Sequence, residues 1–222
     1  MIHNSDYFDK DEDAREEDDG LPHAVASLLK RIGDVGDRLA LDGHPLAREL
    51  FHAGMALAAA IVALLTCNPV TGLPDKAAYE RVLRRMVRTA RREGHSLILL
   101  LLDSDALKAF NAKFGHPGGD ELLRHVAALL VSGIREGDFA AHLHGDEFAV
   151  LLVGRTEAEG RAIAERLRAR MEADLPLGNL ATLSFGMGVF PAEAGLADAL
   201  HELTDQRLFV AKRLGGNTVI AA

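Results

Sequence analysis

Only one cysteine, Cys67, occurs among the 222 residues, which excludes an intramolecular disulfide framework and any zinc site built from several thiolates. So sparing a use of cysteine fits a reducing compartment. Positive charge is scarce too: Lys and Arg number 25 against 33 Asp and Glu. No strongly basic domain is present to coat a phosphodiester backbone, so a nucleic acid polymer is not an expected partner. Nor is there a bilayer-length apolar run, since "AGMALAAAIVALL", residues 53–65, is too short and too rich in alanine. No basic, apolar, small-residue signal opens the sequence, and no internal repeat is visible. The expectation is a cytoplasmic protein without a transmembrane segment.

The charge that is present is unevenly placed. Residues 6–19, "DYFDKDEDAREEDD", carry nine acids against Lys10 and Arg15, which accounts for −7 of the net −8. Such a stretch buries too little apolar surface to offset the entropy of ordering, so residues 1–20 are expected to be a disordered acidic tail. Residues 21–67 form an N-terminal helical segment, with helices over about 23–32 and 45–66 separated by glycines and a proline. Leu50, Ala53, Leu57, Ala60, Ile61 and Leu64 make a wide apolar stripe on the second helix. That stripe suits either a homodimerising coupler or packing within its own chain. Pro69 forces Asn68 out of helical geometry, which places a domain boundary there and leaves 68–222 as the main domain.

Beyond the boundary, helices and strands alternate. Lys76–Glu93 reads as an amphipathic helix with Ala78, Val82, Met86 and Val87 inward. "SLILLLL", Ser96–Leu102, reads as a central strand covered on both faces. Asp105–Phe114 is a short helix, "GHPGG" a loop, and Asp120–Ile134 a helix. Phe139–Leu143 and Phe148–Val153 flank a short turn and so make a hairpin. Thr156 and Glu159 form a capping box. Leu180–Phe190 is a strand weakened by Gly186 and Gly188; Leu196–Leu214 is a helix stopped at Gly215-Gly216; Val219–Ile220 closes the sheet. The fold class is α+β, with a mixed central sheet flanked by helices.

Two carboxylates stand out. Asp103 follows directly on the central apolar strand, where ligands gather in open sheets, and Asp146 opens the second hairpin strand. If the two strands are neighbours, both carboxylates and the Ser104 carbonyl form a hard oxygen site suited to magnesium. The competing reading makes Asp103 and Asp105 caps of the following helix.

Four ordered blocks bear on that choice: "NPVTGLPDKAAYERVL", "LLDSDALKAFNAKFGHPGGDELL", "LHGDEFAVLL" and "LTDQRLFVAKRLGGN". In order and interval they resemble the GGDEF family of diguanylate cyclases, from Asn68 to about Ile220. The resemblance implies a palm-like sheet similar to that of polymerases and nucleotidyl cyclases, on which two GTP molecules are joined into cyclic di-GMP. It implies that Asp103, Asp146 and the Ser104 carbonyl bind Mg2+, two ions per active site, with Mn2+ as a substitute. Glu147 would help remove the ribose 3′-hydroxyl proton, Asn111 and Asp120 would bond the guanine edge, and Lys108 and Lys212 would meet phosphates. Arg135 and Asp138 match the family's Arg-x-x-Asp product site, for which a helix-end salt bridge is the alternative. An active cyclase would also bring two GTP-loaded copies together as a homodimer.

The match is imperfect. His144 stands where the family has a glycine, and its β-carbon and imidazole are expected to obstruct GTP. Gly216 replaces a phosphate-binding arginine, and Ala112 an aspartate. Asn68 and His142 together replace an acid–arginine pair, where a hydrogen bond can substitute without leaving a buried charge unpaired. Retained but reduced cyclase activity is the expectation; the alternative is a receptor that binds cyclic di-GMP or GTP without turnover.

Overall fold

The computed structural model describes residues 66–105, 107–173 and 181–221. The acidic tail, the two N-terminal helices and the coupler stripe lie outside the described residues. Among the described residues, no helix is long and apolar enough to cross a membrane.

Helix α1 (Lys76–Glu93) begins where the Asp75 side chain accepts a hydrogen bond from Ala78 N at 2.8 Å, and ends at Gly94 with φ 69°. Strand β1 (Leu97–Ser104) follows, then α2 (Leu107–Gly133), β2 (Phe139–His144), β3 (Glu147–Val153), α3 (Glu157–Ala173), β4 (Leu183–Phe190), α4 (Ala197–Arg213) and β5 (Val219–Ile220). The strands form one sheet in the order β2-β3-β1-β4-β5. β1 is antiparallel to both neighbours, and only β4 and β5 run parallel, so the sheet is mixed.

The alternation of side chains along β1 builds two cores from one apolar run. Ile98, Leu100 and Leu102 pack with Leu122, Val126 and Leu130 of α2 and with Ile163 and Leu167 of α3. Leu97, Leu99 and Leu101 pack on the other face with Tyr79, Leu83 and Val87 of α1 and Leu200 and Leu208 of α4. Each fully buried Leu or Ile here contributes about 1.5–3 kcal/mol. A strand with six consecutive apolar residues, Leu97–Leu102, therefore needs a helical layer on each side. On α1 the inward stripe is centred on Tyr79, Leu83, Val87 and Ala90, while Val82 and Met86 are only partly buried.

Two expectations are corrected. The "GHPGG" loop is shorter than expected: α2 is two helical segments that meet at Gly115, whose φ of 73° and ψ of 175° leave the helical region, and the second segment begins before Asp120. Pro117 then falls in the first turn of the second segment, where a missing N–H costs no intrahelical bond. Gly186 and Gly188 do not weaken β4, which is buried at all eight positions. A β-carbon at Gly186 would come 2.1 Å from the Thr204 carbonyl oxygen, and one at Gly188 would come 2.4 Å from Thr204 Oγ1. The glycines let α4 lie directly on the strand.

Candidate functional site

The antiparallel register of β1 and β3 sets Asp103 opposite Glu147 at one rim of the sheet. Gly145 and Asp146 form the two-residue turn that precedes Glu147, and Gly145 has φ 55°. Glycine suits that first central position of a tight hairpin. The turn is tied to β1 by Ser104 N donating to Asp146 O at 3.2 Å. Sequence-distant carboxylates 103, 146 and 147 are thereby gathered at one place.

Lys212, from the last turn of α4, reaches into this rim. Its Nζ lies 2.5 Å from Asp103 Oδ1, 3.0 Å from the Ser104 carbonyl oxygen and 3.1 Å from Asp105 Oδ1. Burial pushes the Asp103 carboxyl up to about 6, assisted by the charges of Asp146 and Glu147 and opposed by Lys212. Lys212 is shifted the other way. Burial would lower it, but Asp103 and Asp105 hold the ammonium charged and raise it above the ordinary lysine value.

Asp105 is not a helix cap. Its carboxylate accepts from Ser184 Oγ at 2.6 Å, Thr182 Oγ1 at 2.7 Å and Asn217 N at 2.9 Å. Burial resists ionisation of Asp105, yet these bonds and Lys212 outweigh it and keep the group below the usual carboxylate range. Asp105 therefore fastens the end of β1 to β4 and to the loop after α4. The spacing in "DSD" puts residues 103 and 105 on the same side of an extended chain, a signal that both face Lys212.

The oxygens fit a hard divalent cation. The carboxylate of Asp103 and the carbonyl of Ser104 already converge on one cationic atom, the Lys212 ammonium, and Asp146 adjoins them. Among the described residues, no group of three or more His, Cys, Asp or Glu side chains could hold a metal. The remaining ligands would be water and substrate phosphate, which is the usual coordination of Mg2+.

The kink at Gly115 shapes a second part of the site. Asn111 precedes it and Asp120 follows it, and both are half-buried. A β-carbon at Gly119 would come 1.9 Å from Asn111 Oδ1, so the glycine makes room for the amide. That oxygen is buried and has no hydrogen-bond partner within the chain, which leaves it free to accept a bond from a bound molecule. Asp120 lies inside α2, past Pro117, and is not the first cap of its helix. Lys108 is exposed in the first turn of α2.

Arg135 and Asp138 lie apart from this rim, between α2 and β2. The Asp138 side chain is 0% exposed, and it accepts from Val153 N at 3.1 Å and from Arg155 Nη2 at 3.4 Å. Arg135 donates to the Val153 carbonyl at 2.7 Å, and 55% of its side chain is exposed. The aspartate is committed internally, and the arginine is the member open to solvent.

The two unusual histidines behave differently. His144 has no positive φ, since Asn217 is the only non-glycine residue with one among the described residues, so its β-carbon imposes no backbone strain. Its Nε2 stands 3.3 Å from Glu147 Oε2. His142 is buried, stacks on Phe148 with ring centroids 4.3 Å apart, and directs Nε2 at the Gly145 carbonyl at 2.9 Å. Its Nδ1 is 3.2 Å from Thr71 Oγ1, in the turn whose N–H groups of Val70 and Thr71 are bonded by Asn68 Oδ1. Asn68 and His142 are thus linked through Thr71 and not directly. Sequence reasoning missed Asp105 and Thr71 as parts of this site.

A family model described as "Diguanylate cyclase, GGDEF domain" matches residues 66–218. Among curated relatives, the diguanylate cyclase DgcP of Pseudomonas aeruginosa is 40% identical over 155 residues, 67% of this chain and 22% of that protein. The diguanylate cyclase TpbB of the same species is 36% identical over 66% of this chain and 35% of its own length. The chain therefore spans between about a fifth and about a third of the curated relatives it matches. Among solved structures, the GGDEF domain of DgcB from Caulobacter crescentus in complex with c-di-GMP superposes with a TM-score of 0.65 at 28% identity, covering 70% of this chain and 95% of that one.

Proposed function

The chain belongs to the GGDEF family, and from that membership we propose that it condenses two molecules of GTP into cyclic di-GMP. The observation that carries the reading is the in-register pairing of Asp103 with Glu147 beside two oxygens that already hold a cation. In each step the 3′-hydroxyl of one nucleotide attacks the α-phosphorus of the other. The new P–O bond forms as the bond to the β-phosphate breaks, pyrophosphate leaves, and Glu147 takes the hydroxyl proton. Repetition with the roles exchanged closes the ring.

Asp103, Asp146 and the Ser104 carbonyl would hold Mg2+, two ions per site with Mn2+ as a substitute. When bound, the metal polarises the α-phosphate and lowers the pKa of the attacking hydroxyl. The unpartnered Asn111 oxygen and the Asp120 carboxylate accept from guanine N–H groups, while Lys108 and Lys212 neutralise phosphate. One domain holds one nucleotide, so turnover requires a homodimer at the moment of reaction. A cytoplasmic location is part of the same reading, since GTP would be the substrate. Arg135 offers the exposed fork for product, a reading supported by relatives solved with c-di-GMP.

The test is incubation of purified protein with Mg2+ and GTP, followed by chromatographic detection of cyclic di-GMP. Product from the wild type and at least a roughly hundredfold loss in Glu147→Gln is the expected result. A second reading, a receptor without turnover, is favoured by the His144–Glu147 contact, which occupies the base. Absence of product together with cyclic di-GMP binding that Arg135→Ala abolishes would establish it.

A further inference from the structure

The ammonium of Lys212 occupies the place a metal would take. Two of its three oxygen partners, Asp103 Oδ1 and Ser104 O, are the same atoms assigned to a divalent cation. Its third partner, Asp105, is itself fixed, because Thr182, Ser184 and Asn217 already bond both carboxylate oxygens. The lysine is therefore held at one position by a carboxylate that does not follow it elsewhere.

Mg2+ bound to the Asp103 and Ser104 oxygens at its usual distance of about 2.0–2.1 Å would lie within about 5 Å of Nζ. In this half-buried rim the repulsion between the two cations is weakly screened. Lys212 has to withdraw when metal enters, and withdrawal requires another anion. Triphosphate oxygens supply one. Position 216 has no side chain to share that task, and a β-carbon there would come 2.7 Å from the Asp105 carboxyl carbon.

We propose that Lys212 is a resident counter-cation that excludes divalent metal from the empty site, so that metal enters only with a nucleoside triphosphate. The proposal rests on the cyclase reading for the identity of the nucleotide. Its charge logic is independent of turnover.

Titration of the full chain with Mn2+, followed by the electron paramagnetic resonance signal of the free ion, tests it. Wild-type protein is expected to bind Mn2+ weakly alone and much more tightly with a non-hydrolysable GTP analogue, beyond the chelation of the analogue itself. Lys212→Gln leaves Asp103 and Asp105 without their neutralising partner. It is expected to bind Mn2+ alone roughly tenfold more tightly than wild type and to gain little further from the analogue. Equal or weaker Mn2+ affinity in folded Lys212→Gln overturns the proposal. If that variant does not fold, the wild type decides: equal affinity with and without the analogue overturns it just as well. A chain that makes no cyclic di-GMP yet shows the tenfold gain loses the cyclase reading and keeps the counter-cation. An active cyclase whose Lys212→Gln variant binds Mn2+ unchanged does the reverse.

Discussion

His142 is a neutral imidazole by environment. Burial depresses its pKa below the ordinary 6.5, His144 adds to the effect, and the Gly145 carbonyl and the charge of Asp146 oppose it. A carbonyl faces Nε2, so that nitrogen carries the proton, and Nδ1 accepts from the Thr71 hydroxyl. Because the folded pKa lies below the unfolded one, the unfolded chain binds more protons as pH falls past about 6.5. The stability contribution is complete above that value and is lost toward the folded pKa. Thermal melts from about pH 7.5 to pH 5 should therefore show the wild type losing ground relative to His142→Gln. A stability difference independent of pH would contradict the assignment. Gly216 carries another prediction at this scale. With φ 78° and the Asp105 carboxylate within 2.9 Å of a β-carbon, it cannot accept the family arginine without moving Asp105. Gly216→Arg is expected to lower the melting temperature and to leave cyclase activity no higher than that of wild type.

At the scale of elements, the decisive contact is α4 lying on β4. A methyl group at Gly186 would meet the backbone of α4, 2.1 Å from Thr204 O and 2.5 Å from Leu208 N, where no side chain can rotate away. Gly186→Ala should cost about 1–3 kcal/mol or more in urea denaturation, whereas Gly195→Ala, with open space around it, should stay within about 0.5 kcal/mol. Because Lys212 rides on α4, the displaced helix should also reduce cyclic di-GMP production in Gly186→Ala. The helix termini are local matters by comparison. Thr156 and Glu159 form the reciprocal capping box their spacing indicates, with Thr156 N donating to Glu159 Oε2 at 2.8 Å and Glu159 N to Thr156 Oγ1 at 3.3 Å.

At the scale of the described domain, the carboxylate rim and the Arg135 corner lie at opposite ends of the β1–β3 pair, and they answer to mutation differently. Asp138 is a buried acceptor for Val153 and Arg155, so Asp138→Ala should destabilise the fold by about 3 kcal/mol. Arg135 is half-exposed, so Arg135→Ala should leave the melting temperature nearly unchanged while abolishing cyclic di-GMP binding in calorimetry. Equal destabilisation by both substitutions would make the corner a structural salt bridge and nothing more.

What the sequence determined by itself is what acts over a few residues. The bounds of α1, the two-faced burial of β1, the hairpin and the capping box follow from periodicity and from caps within a turn of their partners. Asp103 and Asp146 stand out in the sequence as carboxylates at the ends of apolar strands, a pattern that by itself leaves the helix-cap reading of Asp103 open. The blocks around Asn111, Asp120 and Lys212 were legible through family resemblance. Tertiary structure decided the rest. It brought Lys212 onto Asp103 across 109 residues, folded Asp105 onto β4 and the 217 loop, and turned the apparent weakness of Gly186 into a close helix contact. It also extended the second segment of α2 back from Asp120 to the turn that holds Pro117, carried by the packing of Leu122, Val126 and Leu130. Such outcomes depend on which distant surfaces meet, and local pattern carries no record of that.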